Sequence, residues 1–337
     1  MTEPSTPDDE VDGGAVAVHF VIPHRGRTDY LCRTVQSIAA LNTKQKLRIS
    51  VITQDDATAV ESVITAALNS QSSELGNRFS WRCLSADPSL TISALRNLGV
   101  QEVKSKYLAF LDADIALASD WLEIGLEELT RVSENRIIVS AVQRPSDEAN
   151  SLELIRVALS NAHTDCTVDY LPGRNLLLRY ADFENIGGFP EHLETCEDYY
   201  FTDRAADLGV LWYSAKTYYV HLGEDRDYDE LFRKEIWRAK GNLRSLKGRG
   251  FSLKELPSLL VPVWVGAFTI LSLAVLLLAD DWLWVSLLLL SIPFILYVYR
   301  LHRIAPTIRL SSKLRFYLYY FPARFIGMVK GLFDHTA

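Results

Sequence analysis

The chain has 337 residues, 35 Lys and Arg against 42 Asp and Glu, and 48% hydrophobic side chains. That length and apolar content are enough for one large α/β domain plus an accessory region, and exclude a mainly disordered chain. The net charge of -7 argues against nucleic acid as a partner, because a phosphate backbone selects clustered Lys and Arg.

Residues 1–14, MTEPSTPDDEVDGG, are acidic and rich in Ser, Pro and Gly, a composition expected to stay disordered. They carry neither a basic n-region nor an apolar h-region, so they do not read as a secretory signal, and a cytosolic domain is expected after them. Cys32, Cys83, Cys166 and Cys196 show no CxxC spacing, which points to reduced, buried thiols.

From Ala15, β-branched runs alternate with helical periodicity: AVAVHFVIP, a helix over 30–41, LRISVIT, a helix over 57–69, FSWRC, a helix over 91–103, and YLAFLD. This order implies a parallel sheet. The next helix, DWLEIGLEELTRV, opens on a capping-box pattern of Asp120 and Glu123, and the strand RIIVSAVQ follows. After about Asn150 the texture becomes α+β, with TVDYL and NLLLRY as strands, YADFENIGGF as a short helix with a glycine stop, and EDYYFTDRAADLG as another. The predicted domain is 15–250, in two halves over 15–118 and 119–250.

The C-terminal third changes solvent. Leu259 to Ala279 and Trp282 to Tyr299 are uncharged apolar runs about long enough to cross a ~30 Å hydrocarbon core, so 259–299 reads as a transmembrane hairpin rather than two core helices. Lys247, Arg249 and Lys254 precede it and Arg300 and Arg303 follow it, whereas the turn carries only Asp280 and Asp281. The positive-inside rule therefore places both flanks and both termini on the cytoplasmic side of an inner (plasma) membrane. Residues 311–333 mix aromatics with Lys and Arg, as does a helix lying on anionic lipid or one packed on the catalytic domain.

One strand ends in Asp112-Ala113-Asp114. Side-chain alternation puts both carboxylates on one side of the strand's C-terminal edge, where open α/β sheets bind ligands and where two carboxylates suit a hard divalent cation. An isolated Asp-x-Asp is equally the mark of a solvated turn.

Four segments resemble the motifs of family 2 glycosyltransferases. VIPHRGRTDYLCRTVQSI is similar to that family's opening strand and loop, ISVITQDDAT to its second strand, and ISALRNLGVQEVKSKYLAFLDAD to its ARNxG helix leading into DxD. LPGRNLLLRYADFENIGGFPEHLETCEDYYFTDRAADLG resembles its acceptor-side block. The resemblance runs from about Ala15 to His221 and implies a GT-A nucleotide-sugar fold with a mixed sheet. It implies that Pro23, His24, Arg25 and Arg27 cradle the nucleobase, that Asp55 or Asp56 meets the base or ribose, and that Arg96 reaches the diphosphate. Asp114, with Asp112 and His221, would hold Mg2+ or Mn2+; Asn175, Gly187 and Gly188 would stand on the acceptor side. Asp198, or its neighbour Glu197, would be the general base of a single, inverting displacement. Gly187, Gly188 and His221 each have a purely structural alternative.

The expected reaction is sugar transfer from a nucleotide-sugar donor to a membrane-associated acceptor, lipid-linked or a surface glycan of the cell envelope. A processive polysaccharide synthase is the nearer alternative, but FRKEIWRAKGNL lacks the (Q/R)xxRW motif usual there, and only two spans follow. A haloacid dehalogenase-like phosphohydrolase is the remote one, since strand-DADIA resembles its nucleophile loop.

Overall fold

A computed structural model describes residues 16–69, 78–241, 253–278 and 281–333. The acidic stretch 1–14, Lys247, Arg249 and Asp280 lie outside the described residues.

The first half is strand-helix alternation: β1 (Val18–His24), α1 (Thr28–Ala39), β2 (Leu47–Thr53), α2 (Ala57–Asn69), β3 (Phe79–Ser85), α3 (Ile92–Val100) and β4 (Tyr107–Leu111). The second half adds β5 (Ile115–Leu117), α4 (Trp121–Leu129), β6 (Arg136–Arg144), α5 (Ser151–Ser160), β7 (Cys166–Thr167), β8 (Asn175–Arg179), α6 (Tyr180–Ile186), α7 (Glu197–Ala206), β9 (Val210–His221) and α8 (Tyr228–Lys240). Three long helices close the chain: α9 (Leu256–Leu277), α10 (Leu283–Ile304) and α11 (Leu310–Phe333).

The strands form one mixed sheet in the order β3-β2-β1-β4-β8-β6-β9-β5, with β7 added beside β9. β1 pairs in parallel with β2 and β4, as alternation demands, while β8 runs antiparallel to both β4 and β6. Phe20, Ile22, Val35 and Trp121 pack on one face, and Val21, Ile52, Phe110, Phe183 and Phe201 on the other. A third cluster joins Leu152, Ile155 and Leu231 to Val265, Leu301, Phe316 and Phe321, fastening the catalytic domain to the last three helices.

Two local expectations fail. Asp120 does not cap α4: its side chain accepts the Thr217 hydroxyl at 2.7 Å, and Glu123 takes the Thr43 hydroxyl, so tertiary partners outcompete the capping box. TVDYL is not a strand beyond Thr167. Tyr170 turns instead to Asp198, and Pro172 has no N–H to offer a ladder.

The helices α9 and α10 are long and apolar enough to cross a membrane, with mean hydropathies of 2.3 and 1.8. Their apolar side chains face outward, Leu277 at 86% and Trp284 at 80% exposure, which a core helix of a soluble domain would not do. Pro293 cannot donate to the Leu289 carbonyl, and the Trp264 indole of the facing helix donates to it at 2.9 Å, restoring the bond that lipid could not supply. α11 packs on the domain along one side. A Cβ on Gly327 would lie 2.3 Å from the Ile236 carbonyl, so α8 and α11 touch backbone to backbone. Its other side leaves Leu310, Leu314 and Leu318 exposed.

His19, fully buried in β1, contacts the Ser50 hydroxyl through Nε2 at 2.8 Å. Burial, with help from Arg48, pushes its pKa down to about 4. A histidine depressed in the fold is protonated first in the unfolded chain, so stability is lost as pH falls from about 6.5 toward 4, by up to about 3 kcal/mol. Urea titrations of wild type and His19→Leu between pH 7 and 5 test this: the variant's stability should fall less steeply with acid.

Candidate active site

The site lies where β1, β2 and β4 end. His24 is buried, 2.9 Å from the Thr53 hydroxyl and 3.6 Å from Asp55; its burial outweighs the pull of Asp55 and lowers its pKa. Beyond Pro23 and His24 the chain must turn sharply, and Gly26 and Arg27 adopt left-handed φ of 63° and 44°. This turn aims the Gly26 N–H at the Asp55 carboxylate, 2.5 Å away. Asp56 faces elsewhere, accepting the Thr58 N–H at 3.0 Å in the first turn of α2. Asp55 is thus the acid that edges the loop. Arg25 is exposed, and Arg27 extends to Asp114 at 3.3 Å.

Asp112 and Asp114 do not share a strand face, because residues 112–114 form a turn between β4 and β5 and alternation stops at Leu111. Thr34 of α1 braces that turn, its hydroxyl 3.0 Å from the Ala113 carbonyl and accepting the Ile115 N–H at 3.1 Å. The carboxylates diverge: Asp112 meets Arg96 at 2.9 Å, whereas Asp114 meets His221 Nε2 at 3.3 Å. Antiparallel pairing of β5 with β9 sets Ile115 opposite His221, which delivers the histidine to Asp114. Behind it, Glu224 lies 3.1 Å from Nδ1.

Burial alone would lower the His221 pKa, but the bonds to Asp114 and Glu224 outweigh it and hold the ring at about 9. Asp114 is held below the usual carboxylate range: burial works against its charge, and His221, Arg27 and Arg174 more than offset it. Gly223 makes room for this cluster, since a Cβ there would stand 2.2 Å from Asp114 Oδ2.

Asp112, Asp114 and His221 therefore do not form one ligand set, and among the described residues no three His, Cys, Asp or Glu side chains gather into a metal cluster. The smaller set fits a cation. Once a cation displaces the proton that Nε2 shares with Asp114, the set offers one carboxylate oxygen and one imidazole nitrogen, the imidazole oriented from behind by Glu224 as ligating histidines usually are.

Arg96 is also placed differently from the expectation of a diphosphate contact. It is 1% exposed, and its fork is occupied by Asp112 at 2.9 Å and Glu197 at 3.1 Å, with the Phe189 ring 5.0 Å from its charge. Gly173 closes the pocket; a Cβ there would press on both Arg96 and Asp198 at about 3.1 Å. Asn97 clamps the Gly187-Gly188-Phe189 turn, exchanging hydrogen bonds with the Phe189 N–H and carbonyl, both at 2.9 Å. The left-handed φ of Gly187 and Gly188, 86° and 76°, make that turn possible, so these glycines shape the wall rather than face a ligand. Asn175 is a correction too. It is fully buried, its carbonyl 3.3 Å from the Trp121 indole N–H, away from any acceptor.

Glu197 and Asp198 open α7 from a left-handed Cys196 with φ of 65°. Burial and the neighbouring Asp198 charge push Glu197 up to about 7, against the pull of Arg96. Asp198 accepts the Tyr170 hydroxyl at 2.6 Å, the Gly173 N–H at 3.2 Å and the Tyr199 N–H at 2.8 Å. Tyr170, Gly223 and Glu224 escaped the sequence reading. Glu224 stands three residues after His221, a spacing that could have exposed it, but Tyr170 carries no local signal.

A mixed sheet whose strand ends carry the Asp55 loop, a DxD turn and, on a separate helix, an acidic pair has the architecture of a GT-A glycosyltransferase fold. The solved mannosyltransferase PcManGT from Pyrobaculum calidifontis, in complex with GDP-Man and Mn2+, shares that fold, with a TM-score of 0.67 and 15% identity over 95% of this chain and 88% of its own. Residues 19–186 match the glycosyl transferase family 2 model. The chain belongs to glycosyl transferase family 2, which sets aside the phosphohydrolase reading. A curated relative, glycosyltransferase AglE of Haloferax volcanii, is 26% identical over 185 residues, 51% of this chain. The match spans 57% of AglE, little more than half of its length.

Arg96→Gln would leave two carboxylates facing each other without a counter-charge, and breaking a buried pair costs about 3–5 kcal/mol. The thermal midpoint in detergent should drop by several degrees, and Arg96→Lys, lacking the fork that serves both acids, should recover only part of it.

Proposed function

We propose that this protein transfers a sugar, with inversion, from a nucleotide-sugar donor to a membrane-associated acceptor, lipid-linked or a surface glycan. The observation that carries the reading is the Arg96 bridge. It joins Asp112 of the DxD turn to Glu197 of the acidic pair, so donor-side and acceptor-side carboxylates edge one cleft. The loop of His24, Gly26 and Asp55 receives the nucleobase and ribose. Asp114 and His221 would hold a divalent cation, Mg2+ or Mn2+, which when bound would supply charge neutralisation to the departing diphosphate. PcManGT, solved with GDP-Man and Mn2+, supports that assignment by fold.

Asp198 takes the proton of the acceptor hydroxyl. Its three donors, two of them backbone N–H groups, fix its direction, while Glu197 stays with Arg96. The residues before this pair reach toward α11: Thr195 fills the space beside Gly241 at the end of α8, the helix that packs on α11, and the Arg324 charge of α11 is felt at Cys196. Such contact suits an acceptor presented at the bilayer surface.

The test is turnover of UDP-, GDP- and dTDP-sugars by the detergent-purified protein, with and without EDTA. One donor should be consumed only when metal is present, and Asp198→Asn should bind it normally yet transfer about 10²–10⁴-fold more slowly. Full turnover in excess EDTA would remove the metal from the mechanism; near-normal transfer by Asp198→Asn, with collapse in Glu197→Gln, would move the base to Glu197.

The same reading places the catalytic domain and both termini on the cytoplasmic side of the inner membrane, supported by Arg300 and Arg303 at the C-terminal end of α10. Reporter fusions at Ala337 should be active only in their cytoplasmic form; a periplasmic signal would reverse the topology.

A further inference from the structure

Arg174 has no part in the reading above. It precedes β8, and its carbonyl accepts the Asp112 N–H at 3.2 Å, tying it to the DxD turn. Its half-buried guanidinium donates from Nε to the Tyr219 hydroxyl at 2.8 Å and from Nη2 to the Ser160 hydroxyl at 3.0 Å. Both partners are neutral. Among the described residues no carboxylate comes within ion-pair distance of Arg174, whereas Arg96, Arg136, Arg156 and Arg324 all meet at least one.

A guanidinium drawn out of water is normally matched by an anion, because its desolvation is otherwise uncompensated. Here the residues that hold it orient the fork, and two carboxylates, Glu224 and Asp114, act on its charge only from beyond ion-pair distance. Its position is also specific. The Arg174 charge acts on Asp114 and His221 on the donor side and on Tyr170, the partner of Asp198, on the acceptor side. An oxyanion at that junction would complete the pairing, and the planar N–H fork suits phosphate oxygens.

We propose that Arg174 holds a phosphate group where the donor and acceptor halves of the cleft meet. This rests on the transferase reading for its two sources of phosphate, the diphosphate of the nucleotide and the phosphate of a lipid-linked acceptor. The binding itself can be measured without any sugar being transferred.

The experiment uses the full chain in nanodiscs, as wild type, Arg174→Gln and Arg174→Lys. Calorimetry would measure UDP, GDP and pyrophosphate, and a parallel series would compare nanodiscs containing polyisoprenyl phosphate with those containing the uncharged polyisoprenol. Arg174→Gln should weaken at least one phosphate probe about tenfold or more, the usual scale for a hydrogen bond to a charged group, and Arg174→Lys should recover part of it. Loss confined to UDP, GDP and pyrophosphate assigns the phosphate to the donor; loss confined to polyisoprenyl phosphate assigns it to the acceptor. Unchanged binding of all probes by Arg174→Gln overturns the proposal and leaves Arg174 as a brace for Tyr219 and Ser160. A fall in thermal midpoint shared by both variants, with no recovery of binding by Lys, overturns it as well. Failure of every nucleotide-sugar to turn over, with pyrophosphate binding still dependent on Arg174, would reject the transferase reading and keep this one.

Discussion

The site depends on one buried cation. Arg96 lies under Phe189 with almost no solvent contact, and two carboxylates from segments 85 residues apart converge on its fork. Burial opposes its charge, yet Asp112 and Glu197 together raise its pKa, so the guanidinium is permanently ionised. Removing either acid would unbalance the other, which is why the DxD turn and the acidic pair behave as one unit. Gly173 and the Asn97-clamped Gly187-Gly188-Phe189 turn supply the walls, each through a contact that a side chain in place of glycine would obstruct.

A second constraint joins this unit to the membrane-proximal helices. α8 and α11 approach until backbones touch, because Gly327 and Gly331 present no side chain to the Ile236 and Lys240 carbonyls. Arg324 of α11 then reaches Glu235 at 3.4 Å, inside a network that includes Arg156, Glu224 and Asp225. Glu224 orients His221 at the other end of that network. Charged contacts therefore run from the helix beside the membrane spans to the donor-side histidine, without crossing the sheet. Coupling of this kind favours a fixed geometry between the cleft and the bilayer over a loosely tethered domain.

The similarity to PcManGT, at 15% identity, shows that such a fold tolerates wide changes in sequence while keeping its layers. What the layers preserve is the convergence of strand ends, and the chemistry is set by a few side chains placed there. In this chain His24, Asp55, Asp114 and Asp198 stand at or beside that convergence, each held by at least one hydrogen bond or ion pair to another segment.

Sequence by itself determined the strand-helix alternation of the first half and the two apolar spans, because periodicity, glycine stops and hydropathy are local properties of the chain; the helix Ser151–Ser160 and the short strand Ile115–Leu117 escaped it. Asp112, Asp114, Glu197 and Asp198 were legible for the same reason. Which group each of them faces was not. Asp112 and Asp114 part company because the strand ends before them, Asp120 abandons its capping role for Thr217, and Asn175 turns into the sheet toward Trp121. The β5–β9 pairing brings His221 to Asp114, and Tyr170 finds Asp198 across 28 residues. Only the tertiary structure could decide these, since ion pairs and hydrogen bonds between distant segments depend on where the sheet sets their backbones, and no local pattern records that.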